Sequence, residues 1–161
     1  MGELKFFLEL QVNQTNNETY ILQTKYMTEL LNKFNMDDAK EMKTPIHPTT
    51  YLGLDEESKK LYRTQYRAMI GSLLYLTAYR PDIMFSVCLC AKFQKEPRKV
   101  ILSVVKRIFR YLIGTYNLGL CFKRTKDFGL TSYCDVDYAG DKLERKSNSG
   151  SCHFIGGNLD M

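Results

Sequence analysis

Pro81, Pro97 and Gly114 cut the middle of this chain into three helix-length apolar patterns, and beyond Gly114 the apolar period falls from about 3.6 residues to two. That change of period confines the chain to an architecture with helices and strands in separate stretches, an α+β fold. The first pattern predicts a helix over roughly Tyr62 to Ala78, with Tyr66, Met69, Ile70, Leu73, Leu74 and Leu76 inward. Gly71 and Ser72 lower its intrinsic helicity and leave room for a neighbouring helix. Pro81 suits the first turn of a second helix running to about Phe93. A third runs from beyond Pro97 to about Leu112, with Val100, Val104, Ile108 and Leu112 on one side. Gly114 is its expected stop. Then Leu118 to Lys123, Phe128 to Asp135 and Gly150 to Ile155 alternate as strands, and three in sequence predict an antiparallel meander.

Ahead of the helices, Leu4 to Val12 reads as a strand and Asn13 to Glu18 as a polar turn. Thr19 to Gln23 returns, so the three make a hairpin. Thr24 is the expected N-cap of a helix carrying Met27, Leu30, Leu31 and Phe34 at helical spacing. The stretch from Lys43 to Ser58 holds Pro45, Pro48 and Gly53 without periodicity and reads as a linker. No apolar run reaches the ~18 residues of a membrane span. The first apolar stretch is broken by Glu3, Lys5 and Glu9 and does not read as a signal peptide. These features predict a soluble, intracellular chain with no membrane partner. The five cysteines form no Cys-x-x-Cys motif, and His47 and His153 lie far apart, so reduced, partly buried thiols are expected rather than zinc ligands.

Charge is distributed unevenly. Between Lys92 and Arg110 seven basic residues, including Arg98, Lys99, Lys106, Arg107 and Arg110, oppose Glu96 alone, a net +6 in a chain of net +5. Such a stripe attracts phosphate backbones, and a solvated helix face would look the same. The residues alone leave both readings open. In Ser132-Tyr-Cys-Asp-Val-Asp-Tyr-Ala-Gly-Asp141 an alternating strand delivers Asp135 and Asp137 to one side. Mutual repulsion of two carboxylates favours a bound cation, although an acidic strand end in solvent has the same pattern. No Walker-type glycine loop, Gly-x-Ser-x-Gly or His-Glu-x-x-His is present.

Four blocks, taken in order, resemble Ty1/copia-type retrotransposon polyproteins. Met1-Gly-Glu-Leu-Lys-Phe-Phe-Leu-Glu-Leu-Gln-Val12 is similar to the hairpin after the reverse transcriptase active site. Tyr66-Arg-Ala-Met-Ile-Gly-Ser-Leu-Leu-Tyr-Leu-Thr77 with Arg80-Pro-Asp-Ile83 is similar to that family's most recognisable downstream motif. Lys106-Arg-Ile-Phe-Arg-Tyr-Leu-Ile-Gly-Thr115 is similar to its basic helix. Ser132 to Asp141, followed by Arg145-Lys-Ser-Asn-Ser-Gly150, is similar to the start of its ribonuclease H domain. Three positions depart from the family pattern: Glu9 stands where Gly is usual, Tyr79 where Thr is common, and Asn148 where Thr is usual.

The resemblance implies an N-terminal β-hairpin, a helical middle and a truncated ribonuclease H-like antiparallel β-sheet. It places the end of the reverse transcriptase palm and the first thumb helix in residues 1–42. A linker follows in 43–61, the helical thumb or connection region in 62–115, and an incomplete ribonuclease H-like domain in 116–161. It implies RNA-directed DNA polymerisation and RNA–DNA hybrid cleavage for the parent. This chain lacks the polymerase motif, an aromatic-x-Asp-Asp turn, so catalysis by the isolated chain is not expected. Asp135 matches the first metal-binding aspartate of ribonuclease H. The parent family uses Mg²⁺, but one such carboxylate makes a weak, incomplete site, so no stably bound cofactor is expected. Lys106, Arg107 and Arg110, with Arg98 and Lys99, are the expected contacts to an RNA–DNA or DNA duplex, weak and sequence-independent. Three functions compete: an inactive remnant, a non-specific nucleic-acid-binding module, and a nuclease subunit completed by another chain, for which other Pol segments are the expected partners.

Overall fold

The structure, a computed structural model, describes residues 5–47, 62–126, 128–141 and 146–160. Helices and antiparallel sheets occupy separate stretches, giving a mixed α+β architecture. In chain order the elements are β1 (Phe6–Phe7), β2 (Leu10–Gln14), β3 (Glu18–Leu22), α1 (Thr24–Lys33), α2 (Arg63–Thr77), α3 (Pro81–Ala91) and α4 (Lys99–Ile113). The strands β4 (Leu120–Lys123), β5 (Leu130–Asp141), β6 (Lys146–Ile155) and β7 (Asn158–Asp160) follow. Contacts divide the chain into two units, one of Met1–Val12 with Ile21–Gly119 and one of Asn13–Tyr20 with Leu120–Met161.

In the first unit the four helices form the core. Met27 and Leu30 of α1 join Tyr66, Met69, Ile70, Leu73 and Leu76 of α2, and Ile83, Val87 and Cys90 of α3. From α4 come Ile101, Val104, Val105, Ile108, Phe109 and Leu112, so its buried stripe is wider than expected and shifted. Val100, expected inward, is 37% exposed, and on α2 Leu74 is likewise exposed. Each fully buried Leu or Ile contributes about 1.5–3 kcal/mol, which makes this cluster the main source of stability. The Tyr66 hydroxyl donates to the Cys90 carbonyl at 2.7 Å, tying α2 to α3. Burial pushes the Cys90 thiol up to about 12, which keeps it unreactive. Gly71 has nothing within 4 Å of where a Cβ would lie, so no helix among the described residues uses the opening there.

Several local expectations are corrected. Leu4 to Val12 is not one strand. Phe6 pairs with Gln11 and Phe7 with Leu10, leaving Leu8 and Glu9 as a two-residue turn. Both have positive φ, 46° and 64°, as a type I′ hairpin turn demands. Thr24 is not the N-cap of α1; Gln23 is, and the Thr24 hydroxyl instead donates to the Tyr116 carbonyl. Gly114 ends α4 with φ −77°, so its conformational freedom is unused. Its small size matters more, because Glu41 Oε2 lies 3.3 Å from where its Cβ would be. At Gly119 glycine is required, since a Cβ would stand 2.2 Å from the Ile21 carbonyl oxygen.

In the second unit the hairpin tip is closed by Thr15, whose amide donates to the Glu18 carbonyl and whose hydroxyl accepts from the Glu18 amide. Here β4 is the neighbour of β3 in the sheet of order β1-β2-β3-β4, most of β3 belonging to this unit. Thus Leu120–Lys123 extends the hairpin and is not the first strand of the expected meander. The meander is β5-β6-β7. Its third strand, β7, is not among the expected ones, although the Gly156-Gly157 turn before it, with φ 57° and 78°, is a hairpin signal readable in the sequence. Across residues 120–135 and 149–160 no described side chain is fully buried. No helix among the described residues is long and apolar enough to cross a membrane.

Candidate nucleic-acid interface

The helix α4 carries Lys99, Lys106, Arg107 and Arg110 and no acidic residue. With its apolar stripe buried, these four fall on the remaining surface. Lys99 and Lys106 are exposed, whereas Arg107 and Arg110 are half-buried. The difference has a direct cause. Arg107 Nε donates to the Thr44 carbonyl at 3.1 Å and its Nη2 to Thr44 Oγ1 at 2.8 Å. Arg110 Nε donates to the Lys40 carbonyl at 2.6 Å, and the Met42 amide donates to the Arg110 carbonyl at 3.1 Å. The two arginines expected to face phosphate therefore hold residues 40–44 along α4. Lys43 and Thr44 belong to the stretch read as a linker. Proline and lack of period signal only that it is not helical, and give no sign of attachment. Residues 48–61 of that linker lie outside the described residues.

Arg98 sits at the N-cap of α4 and pairs with Glu96 at 2.9 Å. Two of the five expected contacts, Lys99 and Lys106, are thus exposed lysines, and three are arginines with protein partners.

The Arg80-Pro-Asp-Ile83 motif anchors the start of α3 to the end of α4. Arg80, not Tyr79, occupies the N-cap position of α3, so the Tyr at 79 removes no cap there. The Arg80 side chain is 1% exposed. Its Nε and Nη2 grip Asp82 at 2.9 and 2.7 Å, and its Nη1 and Nη2 donate to the carbonyl and hydroxyl of Thr115 at 3.1 and 2.8 Å. Thr115 lies just past the end of α4, so the guanidinium locks the start of α3 to that end. The Tyr111 hydroxyl of α4 adds a 2.9 Å bond to Asp82, and its ring lies beside the Arg80 guanidinium. Burial alone would raise the Asp82 carboxyl, but the Arg80 hydrogen bonds and charge, with the Tyr111 bond, hold it below the usual range. Nothing in the sequence signals that the arginine of this motif is buried.

On the second sheet Asp135 is exposed on β5, opposite Gly150 of β6. Asp137 pairs with Asn148 through the backbone; its side chain, and Arg145 of the polar loop, lie outside the described residues. No group of three metal-ligating side chains occurs among the described residues.

The chain is 36% identical over 154 residues to the retrovirus-related Pol polyprotein from transposon RE1 of Arabidopsis thaliana, covering 96% of this chain and 10% of that protein. It is 32% identical to an uncharacterized mitochondrial protein of the same plant, across 99% of this chain and 66% of that protein. The Pol polyprotein from transposon TNT 1-94 of Nicotiana tabacum is 35% identical, across 85% of this chain and 11% of that protein. The chain thus spans about a tenth of the Pol polyproteins that it matches. No protein-family profile and no solved structure matches it.

Proposed function

The chain belongs to the Ty1/copia-type retrotransposon Pol family, and on that premise we propose that it is a Pol segment running from the end of the reverse transcriptase to the start of ribonuclease H. By itself it carries out neither reaction and keeps a weak, sequence-independent grip on nucleic-acid duplex through α4. The single observation that carries this reading is the colinear match along 96% of the chain to a Pol polyprotein, with an acid-free basic helix inside it. An aromatic-x-Asp-Asp turn does not occur in these residues, and Asp135 is the one position matched to a ribonuclease H metal ligand. Two-metal phosphoryl chemistry needs several carboxylates converging on paired ions. The β5-β6-β7 meander is read as the opening of the ribonuclease H-like sheet.

The test uses the purified chain with Mg²⁺ or Mn²⁺. Given a primed RNA template it should not extend, and given an RNA–DNA hybrid it should not cut. It should bind the hybrid with a Kd on the order of 10⁻⁴–10⁻⁶ M at physiological salt, weakening steeply as salt rises. Metal-dependent cutting lost in Asp135→Asn would overturn the inactive reading. Absence of salt-dependent binding would overturn the interface.

A further inference from the structure

We propose that residues 40–44 are part of the duplex-binding surface, held there by Arg107 and Arg110 so that Lys40 and Lys43 contact phosphates together with Lys106. The inference rests on the nucleic-acid reading above and changes which residues carry it. An arginine that recognises phosphate does so through its free fork of donors. Here the Nε of each arginine is bonded to a protein carbonyl, at Thr44 for Arg107 and at Lys40 for Arg110. Arg107 commits Nη2 to Thr44 Oγ1 as well, so most of its fork is used, and the bond of Arg110 through Nε likewise makes it a positioning residue for Lys40. What they position is a segment with two exposed lysines, neither of which has an ion-pair partner among the described residues.

The clamp is specific in register. Arg110 meets Lys40 and Met42, and Arg107, one helical turn back, meets Thr44. The segment therefore runs along α4 past Arg110 and Arg107, next in sequence to Lys106, and its exposed lysines add to the basic charge of that helix. Asp37, Asp38 and Glu41 stand on the same stretch. Without the clamp its net charge would give no attraction. Glu41 rests against Gly114 at the end of α4, and both aspartates precede the first clamped residue. Phosphate contacts of this kind fix position without reading bases, so the partner is duplex backbone and not a sequence.

The experiment measures affinity of the full chain for an RNA–DNA hybrid across a salt series. Removing one lysine–phosphate interaction flattens the slope of log K against log salt by about 0.9. Lys106→Ala should flatten it by about that amount and Lys40→Ala/Lys43→Ala by roughly twice that. Arg107→Lys/Arg110→Lys conserves charge but cannot reproduce the two Nε bonds. It should speed exchange of the Met42 amide and flatten the slope as far as the double lysine variant does. If Lys106→Ala flattens the slope while Lys40→Ala/Lys43→Ala leaves it unchanged, this inference is overturned and the α4 reading stands. If the arginine-to-lysine variant frees Met42 yet binds like the parent, the clamp has no part in binding. If the parent shows no binding even at about 50 mM salt, both readings fall.

Discussion

The Asn158 carboxamide completes the backbone of Lys123: its Oδ1 accepts from the Lys123 amide at 2.6 Å and its Nδ2 donates to the Lys123 carbonyl at 2.9 Å. A side chain here does what a neighbouring strand does, satisfying both polar groups of one residue at the end of β4. Asn158→Ala should therefore remove two hydrogen bonds at about 1 kcal/mol each, less for their exposure. The Lys123 amide should exchange faster, with little change in the helices. Asn158→Asp keeps the acceptor but sets a carboxylate against a carbonyl, so it should rescue only part of the loss. Unchanged Lys123 exchange in the alanine variant would show that the clasp does not hold in solution.

A second prediction concerns acid. Asp82 has a folded pKa below its unfolded one. Its pairing with Arg80 is then fully stabilising above the ordinary carboxyl value, near 4, and is lost as pH falls through the lowered folded value. Stability measured by urea unfolding should fall in the parent as pH drops below the ordinary carboxyl value, and that part of the fall should be absent in Asp82→Asn. At pH 7 the same variant should lose about 3 kcal/mol, because it leaves the buried Arg80 guanidinium without its counter-charge. Equal acid sensitivity in parent and variant would move the cause to another carboxylate.

How much of this is legible in the sequence depends on the scale of the signal. The helices are readable because apolar spacing, Pro81 and Gly114 are local signals, and α2, α3 and α4 start and stop within a few residues of expectation. Pairing partners are not, because alternation gives a strand its faces but not its neighbour, and so Leu120–Lys123 is expected in one sheet and found in the other. The basic stripe is readable as charge, but charge does not say whether a guanidinium faces solvent or a carbonyl. The hold of Arg107 and Arg110 on residues 40–44 depends on contacts 63 and 70 residues apart in sequence.

Glu9 offers a direct stability test. It sits at φ 64° beside Leu8 at 46° in the β1–β2 turn, where type I′ geometry favours Asn-Gly. A non-glycine residue held there costs on the order of 1–3 kcal/mol. Glu9→Gly, the residue usual in the resembled family, should stabilise the hairpin by about 1 kcal/mol after the extra freedom of the unfolded glycine is offset. Glu9→Val should destabilise it, because a β-branched side chain tolerates positive φ least. The Tyr75 hydroxyl, which donates to the Leu8 carbonyl at 2.7 Å, gives a local reporter through the NMR signals of that tyrosine. A glycine variant no more stable than the parent would mean that the turn relaxes out of this conformation.

The last prediction sets the two units against each other in stability. All the fully buried side chains among those described lie at or before Leu112, and residues 130–135 and 149–160 of the β5-β6-β7 sheet have none. Leu130 is 70% exposed, Tyr133 63% and Ile155 41%, on strands whose alternation puts Tyr133 on one face and Leu130 and Ile155 on the other. Both faces thus present apolar surface to solvent. A three-stranded sheet without a packed face is marginal. Hydrogen exchange should show the slowest amides in α2 and α4, and openings in β5 to β7 at a free energy well below that of global unfolding. Tyr133→Ser and Ile155→Thr should raise solubility at little cost to the helices. Amides of β5 that exchange as slowly as those of α4 would require a cover for the sheet that the described residues do not supply.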